Sequence, residues 1–413
     1  MRHLKKETLK TILVFADSKK NKAPIRELKE LANSAGIQVL GTLSQKPNRI
    51  HHSTYFGSGK IHEIQDMILE TGANLIIFNG RLTGVQARNL NNIFKISIWE
   101  RNQLILKIFA DRARSYEGQL QVTLAQKLDE LTRVRGAWLG SLSRQGGGVG
   151  TRGPGEKALE TDRRQIQKRI RILRKKLQTL RKNRFQQRKL RQRNQVCSFA
   201  LIGYTNSGKS TLLNCLSKAK VETQNQLFLT LDPTTRKVFV PGLNTSVLTD
   251  TVGFIKDLPP HLIEAFKATL EESACADVLL HVIDASNPNM KEQIKIVNSL
   301  IREFGWHKKP IIHVFNKMDQ VCKSFQRPPT AFYAKVSALS GKGTPQLLKE
   351  MKRAYFSLNK KVELFVPHSD EHIMHSLKQQ IKIHKTEQAQ GGTLLQTGMS
   401  FYQVDSWKNF ITK

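Results

Sequence analysis

The residues best suited to chemistry form one short run, Gly203-Tyr204-Thr205-Asn206-Ser207-Gly208-Lys209-Ser210, with Thr211 behind it. The apolar residues 199–202 before it predict a strand, and the residues after it, through Leu216, predict a helix. Glycines at both ends of such a run let backbone N–H groups curl around an anion at a helix N-terminus, the arrangement of a phosphate-binding P-loop. In that arrangement Lys209 reaches the β- and γ-phosphates and the Ser210 hydroxyl ligates Mg2+. A pattern this short arises by chance, so its weight depends on the motifs downstream of it.

Three further groups come later in the chain, in the order a GTPase requires. Asp250-Thr251-Val252-Gly253 comes after the apolar stretch 246–248; an acid there can hold the Mg2+ water shell, and the Gly253 N–H can meet the γ-phosphate. Asn316-Lys317-Met318-Asp319 comes after the strand expected at 311–315. The Asp319 carboxylate can accept paired hydrogen bonds from guanine N1–H and its 2-amino group, which adenine cannot supply, so GTP is expected over ATP. Asn316 would brace the site and the Lys317 stem would stack on the base. Ser337-Ala338-Leu339, after another strand, could offer backbone N–H groups to guanine O6. Between the P-loop and Asp250 lies Leu227-Phe228-Leu229-Thr230-Leu231-Asp232-Pro233-Thr234-Thr235-Arg236, the expected switch segment, with Phe228, Leu229, Thr230, Leu231 and Asp232 at the nucleotide. By spacing, Thr230 is the first choice for closing over the γ-phosphate and binding Mg2+, and Thr234 the second. Lys209, Thr230 and Gly253 are therefore the expected catalytic set. Phe254 stands where many GTPases carry a water-orienting glutamine, so hydrolysis by the chain alone is expected to be slow. Either a partner reorganises the switches, or Asn206 helps hold a K+ ion that takes the role of an arginine finger.

These motifs need strands and helices to carry them, and the rest of the chain supplies those. The first 110 residues alternate strand patterns (12–16, 38–43, 75–78, 95–99) with helix patterns (24–34, 61–70, 85–91, 103–112), which predicts a parallel α/β domain. Leu120, Leu124, Leu128, Leu131 and Val134 recur at helical spacing, and Ile166, Ile170, Leu173, Leu177 and Leu180 step by four and three. Two such stripes predict an antiparallel helical hairpin of coiled-coil type. Its connection, 143–156, holds six glycines between 146 and 155. That composition suits a flexible linker, whereas Arg144 and Arg152 flanking the glycines suit a contact loop. The expected organisation is α/β in four parts: an N-terminal domain over 1–112, the basic hairpin over 113–195, a P-loop GTPase domain over 196–358 and a small C-terminal α+β domain over 359–413.

Composition narrows the partners. The chain of 413 residues has 67 Lys+Arg against 33 Asp+Glu, a net charge of +34. Residues 1–195 hold 40 basic and 15 acidic residues, and 163–193 hold 15 basic residues without one acid. Like charges packed this densely repel unless a polyanion neutralises them, so nucleic acid is the expected partner and peripheral membrane contact the lesser one. Apolar runs reach only strand length, and four scattered cysteines give neither a disulfide framework nor a zinc site, so a cytoplasmic monomer is expected. Gly57-Ser58-Gly59-Lys60 has Thr54 where a P-loop needs glycine, and is expected to be structural. His368, His372 and His375 are expected to begin an ordinary helix rather than hold a metal.

With these motifs in place, the chain resembles the HflX family of translational GTPases, within the TrmE–Era–Obg-like class. The likeness rests on Tyr55-Phe56-Gly57-Ser58-Gly59-Lys60, on Ile108-Phe109-Ala110-Asp111-Arg112-Ala113-Arg114 with Glu117-Gly118, and above all on 143–156 continuing into Leu159-Glu160-Thr161-Asp162-Arg163-Arg164. The stretch 203–210 and Leu231-Asp232-Pro233-Thr234-Thr235-Arg236 add to it. It covers about 10–365, the tail matching only loosely. The resemblance implies Mg2+ positions at Ser210 and Thr230, a GTP/GDP cycle, and binding to the large ribosomal subunit and its RNA when GTP is bound. It also implies dissociation or rescue of stalled or idle ribosomes. Two competing expectations are a nucleic-acid-stimulated ATPase, which 316–319 opposes, and an RNA-binding assembly or hibernation factor for which GTP is only a ligand.

Overall fold

The computed structural model describes residues 8–16, 22–45, 50–142, 154–193, 196–217, 232–243, 245–256, 260–321, 330–370, 372–374, 377, 383–399 and 407–412. The chain divides into two compact units. The first comprises Met1–Lys182, Thr223–Asp232 and Ile255–Leu270. Its strands β1 (Lys10–Phe15), β2 (Gln38–Ser44), β3 (Leu75–Asn79) and β4 (Ser97–Glu100) form a parallel sheet in the order β2-β1-β3-β4. Successive β1 side chains point to opposite faces, and Ile12, Leu13, Val14 and Phe15 are all buried, so both faces are covered, as a parallel sheet requires. The crossovers are α1 (Lys22–Ser34), α2 (Ser58–Thr71), α3 (Gly84–Phe94) and α4 (Arg101–Arg112). Ile64 of α2 and Leu90 and Phe94 of α3 close over Ile12, Val14, Ile76 and Phe78. A reciprocal Thr83–Gln86 capping box starts α3. The run 57–60 opens α2, with Gly57 as its extended N-cap, and Lys60 Nζ meets Glu63 of the same helix at 2.7 Å.

Helices α5 (Tyr116–Leu142) and α6 (Pro154–Arg193) carry the two stripes. Leu120, Leu124 and Leu128 of α5 pack with Ile166, Ile170 and Leu177 of α6 in one apolar seam. The helix α6 begins at Pro154, inside the stretch expected as a connection, because proline's fixed φ and missing N–H suit the first helical turn. Residues 143–153 lie outside the described residues. At the helical rise, 40 residues make α6 about 60 Å long.

The second unit comprises Asn183–Glu222, Pro233–Phe254 and Glu271–Lys413. Strands β5 (Cys197–Gly203), β6 (Thr234–Val238), β7 (Ser246–Asp250), β8 (Val278–Asp284), β9 (Ile311–Asn316) and β10 (Phe332–Lys335) form a sheet in the order β10-β9-β8-β5-β7-β6. All neighbours run parallel except β6, which is antiparallel to β7. Helices α7 (Lys209–Ser217), α9 (Met290–Glu303) and α10 (Thr344–Phe356) accompany it, and α8 (Pro260–Cys275) spans the boundary between the units. All seven β8 positions are buried, His281 among them, because a central parallel strand is covered on both faces. An antiparallel sheet of β11 (Lys360–Pro367), β12 (Ile383–Ala389) and β13 (Gly392–Met399) comes next, in the order β11-β13-β12 over a core of Val362, Leu364, Leu377 and Leu395. His368 lies in a 3-10 turn, His368–Asp370, rather than an α-helix, and His375 is outside the described residues. Among the described residues no cluster could hold a metal through three or more His, Cys, Asp or Glu, and no helix is long and apolar enough to cross a membrane.

Candidate functional site

In a sheet of this kind, ligands bind beyond the C-terminal ends of the parallel strands. The register brings the sequence motifs to that edge: Leu201 of β5 pairs with Asp250 of β7, Gly203 with Val282 of β8, and Asp284 of β8 with Asn316 of β9. Residues 203–208 form the turn between β5 and α7, and Asn206 holds a left-handed φ of 61°, a conformation asparagine tolerates well. Lys209 is buried at the first position of α7, its Nζ donating to the carbonyls of Tyr204 at 2.9 Å and Gly203 at 3.3 Å. Burial holds its ammonium below the usual lysine range, at about 8, against the raising influence of Asp250. The Ser210 hydroxyl donates to Asp250 Oδ2 at 2.5 Å. That hydroxyl and carboxylate are hard oxygen donors suited to Mg2+. The buried hydroxyls of Thr205 and Ser207 have no hydrogen-bond partner among the described residues, so polar capacity remains within the turn. Thr211 is half-buried in α7.

Beyond β7, the Thr251 hydroxyl donates to Leu201 O at 2.6 Å, which turns that side chain inward, and Val252 is buried. A Cβ at Gly253 would lie 2.8 Å from Lys209 Nζ and 2.9 Å from Thr205 Cα, so only glycine lets these segments approach. Phe254 bridges Tyr204 in parallel, donating its N–H to Gly203 O at 3.0 Å and accepting from Thr205 N–H at 2.7 Å. Its ring is buried. A buried hydrocarbon cannot orient a water; it ties the segment after Gly253 to the phosphate turn.

Asn316 joins the two loops. Its Nδ2 donates to Ser207 O at 2.9 Å and its Oδ1 accepts from Ala338 N–H at 2.9 Å. A Cβ on Gly208 would collide with that Nδ2, and Gly208 has a φ of +89°. Lys317 Nζ is held by Asp284 Oδ2 at 2.7 Å, while Asp284 Oδ1 accepts from the Ser286 N–H and hydroxyl. Met318 donates its N–H to Val336 O, and Asp319 is exposed in the short turn Met318–Gln320. Of the three amides over 337–339, Ser337 N–H is taken by Lys342 O and Ala338 N–H by Asn316. The Leu339 amide is the one without a partner among the described residues, and its side chain is 82% exposed.

Asp232, expected near the nucleotide, makes its contacts within the first unit. Its carboxylate is engaged by the backbone N–H groups of Arg114 and Ser115 and by the Ser115 hydroxyl, because the N-terminus of α5 supplies unpaired donors there. Phe228, Leu229, Thr230 and Leu231 lie outside the described residues. Asp284 and Ser286 carry no spacing signature of their own; the only signal was an acid closing a buried strand.

Three family profiles match successive parts of the chain. Residues 22–110 match the family profile described as GTP-binding GTPase N-terminal, 112–191 the GTP-binding GTPase middle region, and 198–317 the 50S ribosome-binding GTPase. A protein of Caldanaerobacter subterraneus subsp. tengcongensis described as GTPase HflX is 42% identical over 412 residues, covering 100% of this chain and 96% of its own. GTPase HflX of Escherichia coli is 39% identical, covering 82% of this chain and 80% of its own. Among solved structures, a GTP-binding protein from Sulfolobus solfataricus in complex with GDP aligns with a TM-score of 0.46 at 22% identity, over 85% of this chain and 100% of that one.

Proposed function

From the premise that the chain belongs to the HflX family of GTPases, we propose that its GTP cycle governs docking on the large ribosomal subunit, and that the docked protein dissociates or rescues stalled or idle ribosomes. It is a GTP hydrolase, converting GTP to GDP and phosphate. In the proposed site the N–H groups of 203–210 and the Lys209 ammonium hold the β- and γ-phosphates. Asp319 reads the guanine edge, with the Lys317 stem on the base and the 337–339 loop at O6. Ser210 and Thr230 would hold Mg2+, with Asp250 on its water shell, and the ion would neutralise phosphate charge when bound. The Gly253 N–H senses the γ-phosphate. Water attacks the γ-phosphorus as the bond to the β–γ bridging oxygen breaks, and Lys209 stabilises the charge that develops on the leaving oxygen. Phe254 leaves the water without an orienting side chain, so the chain alone turns over slowly and the subunit supplies the missing order. In the alternative to assistance by the subunit, Asn206 would help hold K+, which would take the role of an arginine finger.

The observation that carries the ribosomal reading is α6. One stripe is buried in the seam, while Arg164, Lys168, Arg169, Arg171, Lys175 and Lys176 lie exposed on its other faces. A rod so charged suits the phosphates of ribosomal RNA. The test is GTP hydrolysis with and without purified large subunits, in K+ and in Na+, at two salt concentrations. Stimulation that fades with added salt supports the proposal. Slow turnover unchanged by subunits rejects it, and equal rates in K+ and Na+ remove the role of Asn206.

A further inference from the structure

Thr205 commits its N–H and its methyl to the fold and leaves its hydroxyl unused. The N–H donates to Phe254 O at 2.7 Å, within the parallel bridge that ties the segment after Gly253 to the phosphate turn. Its Cα and its methyl Cγ2 each lie 2.9 Å from the point that a Cβ on Gly253 would occupy. The hydroxyl Oγ1 is buried without a hydrogen-bond partner among the described residues. Burying an unpaired hydroxyl costs free energy, and valine would supply the same branched shape without that cost. Packing thus accounts for the methyl and leaves the oxygen unexplained.

The neighbours of the side chain point to what the oxygen meets. Lys209 Nζ stands 2.8 Å from the same Gly253 point, so the ammonium and the Thr205 side chain converge on one position. That position is the γ-phosphate end of the turn, because Lys209 and the Gly253 N–H are the groups that meet the terminal phosphoryl group in the proposed site. Thr205 is 6% exposed and Lys209 7%, so the threonine is no deeper than the lysine that reaches for phosphate. Thr205, Lys209, Gly253 and Phe254 all belong to the second unit. Ser207 has the other buried hydroxyl of the turn without a partner, but it lies elsewhere. Its Oγ is 3.1 Å from the point that a Cβ on Gly203 would occupy, at the β5 end of the turn.

We propose that Thr205 is a further catalytic residue: its hydroxyl donates to an oxygen of the γ-phosphoryl group and holds that group as it passes to water. This rests on the proposed function, in which the turn binds the phosphates, and a lysine control separates the two claims. The reaction itself is unchanged. The water oxygen bonds to the γ-phosphorus, the bond to the β–γ bridging oxygen breaks with its electron pair passing to GDP, and the proton lost by the water leaves with the phosphate. Thr205 keeps its own proton. A neutral donor fixed in a buried turn needs no reorganisation as charge shifts during transfer, and GDP, which lacks the γ-phosphoryl group, makes no use of it.

The experiment measures kcat, KM, GDP affinity and the unfolding midpoint of the full-length protein for Thr205→Val, Thr205→Ser and Lys209→Ala. Thr205→Val is expected to lower kcat about tenfold with GDP affinity within about twofold. Its unfolding midpoint should stay or rise, since an unpaired buried hydroxyl has gone. Thr205→Ser keeps the donor and should hold kcat within about threefold of the parent. A purely structural threonine predicts the reverse for valine, a firmer fold with kcat unchanged, and that result overturns the inference. Equal losses in the valine and serine variants, or loss of GDP affinity in step with kcat, overturn it too. Where Thr205→Val folds poorly, Thr205→Ala against Thr205→Ser makes the same comparison. If Lys209→Ala abolishes hydrolysis and Thr205→Val does not alter it, the inference fails and the site reading stands; if Lys209→Ala hydrolyses GTP like the parent, the site reading fails.

Discussion

Asn316 is the residue on which the phosphate and base loops both depend, because its buried amide spends both ends on backbone atoms, Ser207 O and Ala338 N–H. Asn316→Ala strands two buried backbone groups at once, so GTP and GDP affinities are expected to fall together by about 100-fold. Asp319→Asn should behave differently. It should weaken GTP by about 100-fold or more and favour xanthine nucleotides, whose 2-oxo group accepts where guanine donates; titration with fluorescent nucleotides checks both variants. Unchanged GTP affinity in Asp319→Asn removes the base-reading role. At this scale the motifs were legible because their chemistry demands residue types at fixed distances on strand ends. Asp284 and the Asp232–Ser115 clasp were not legible. Each joins residues whose partner is far along the chain, and a single aspartate carries no spacing.

Among elements, α6 separates two kinds of contribution by face. Leu124→Ala or Ile170→Ala opens the seam and should cost about 2–4 kcal/mol of stability by chemical denaturation. Replacing the exposed Arg171, Lys175 and Lys176 together by glutamine should leave stability within about 0.5 kcal/mol. It should nevertheless weaken RNA binding and reduce the slope of log affinity against log salt by roughly 2–3. An unchanged slope would place the RNA contact elsewhere. The seam and the strand–helix alternation were readable because periodicities of 3.6 and 2 arise from helix and strand geometry. The start of α6 was misplaced, since six glycines outweigh one proline in composition although the proline decides where the helix begins.

For the molecule as a whole, two histidines on adjacent strands make stability depend on pH. His281 and His313 are register partners in β8 and β9 with rings 5.3 Å apart. Burial, then His313 and Lys209, hold His281 well below the usual histidine range, and burial lowers His313. The folded state keeps both neutral where the unfolded chain already binds protons. Stability is thus full above about pH 6.5 and falls as pH drops below it, by at most about 1.4 kcal/mol per pH unit per histidine. Unfolding midpoints from pH 7.5 to 5 should fall accordingly, and His281→Leu should flatten the profile. Gly118 lies so close to Asp232 that a Cβ there would stand 2.5 Å from Oδ1, and this has a different kind of consequence, one written across generations. A lineage that loses the carboxylate no longer needs the glycine and gains helix stability by replacing it, whereas one that first replaces the glycine expels the carboxylate. Related chains are therefore expected to keep both residues or to lose both, which an alignment of relatives checks.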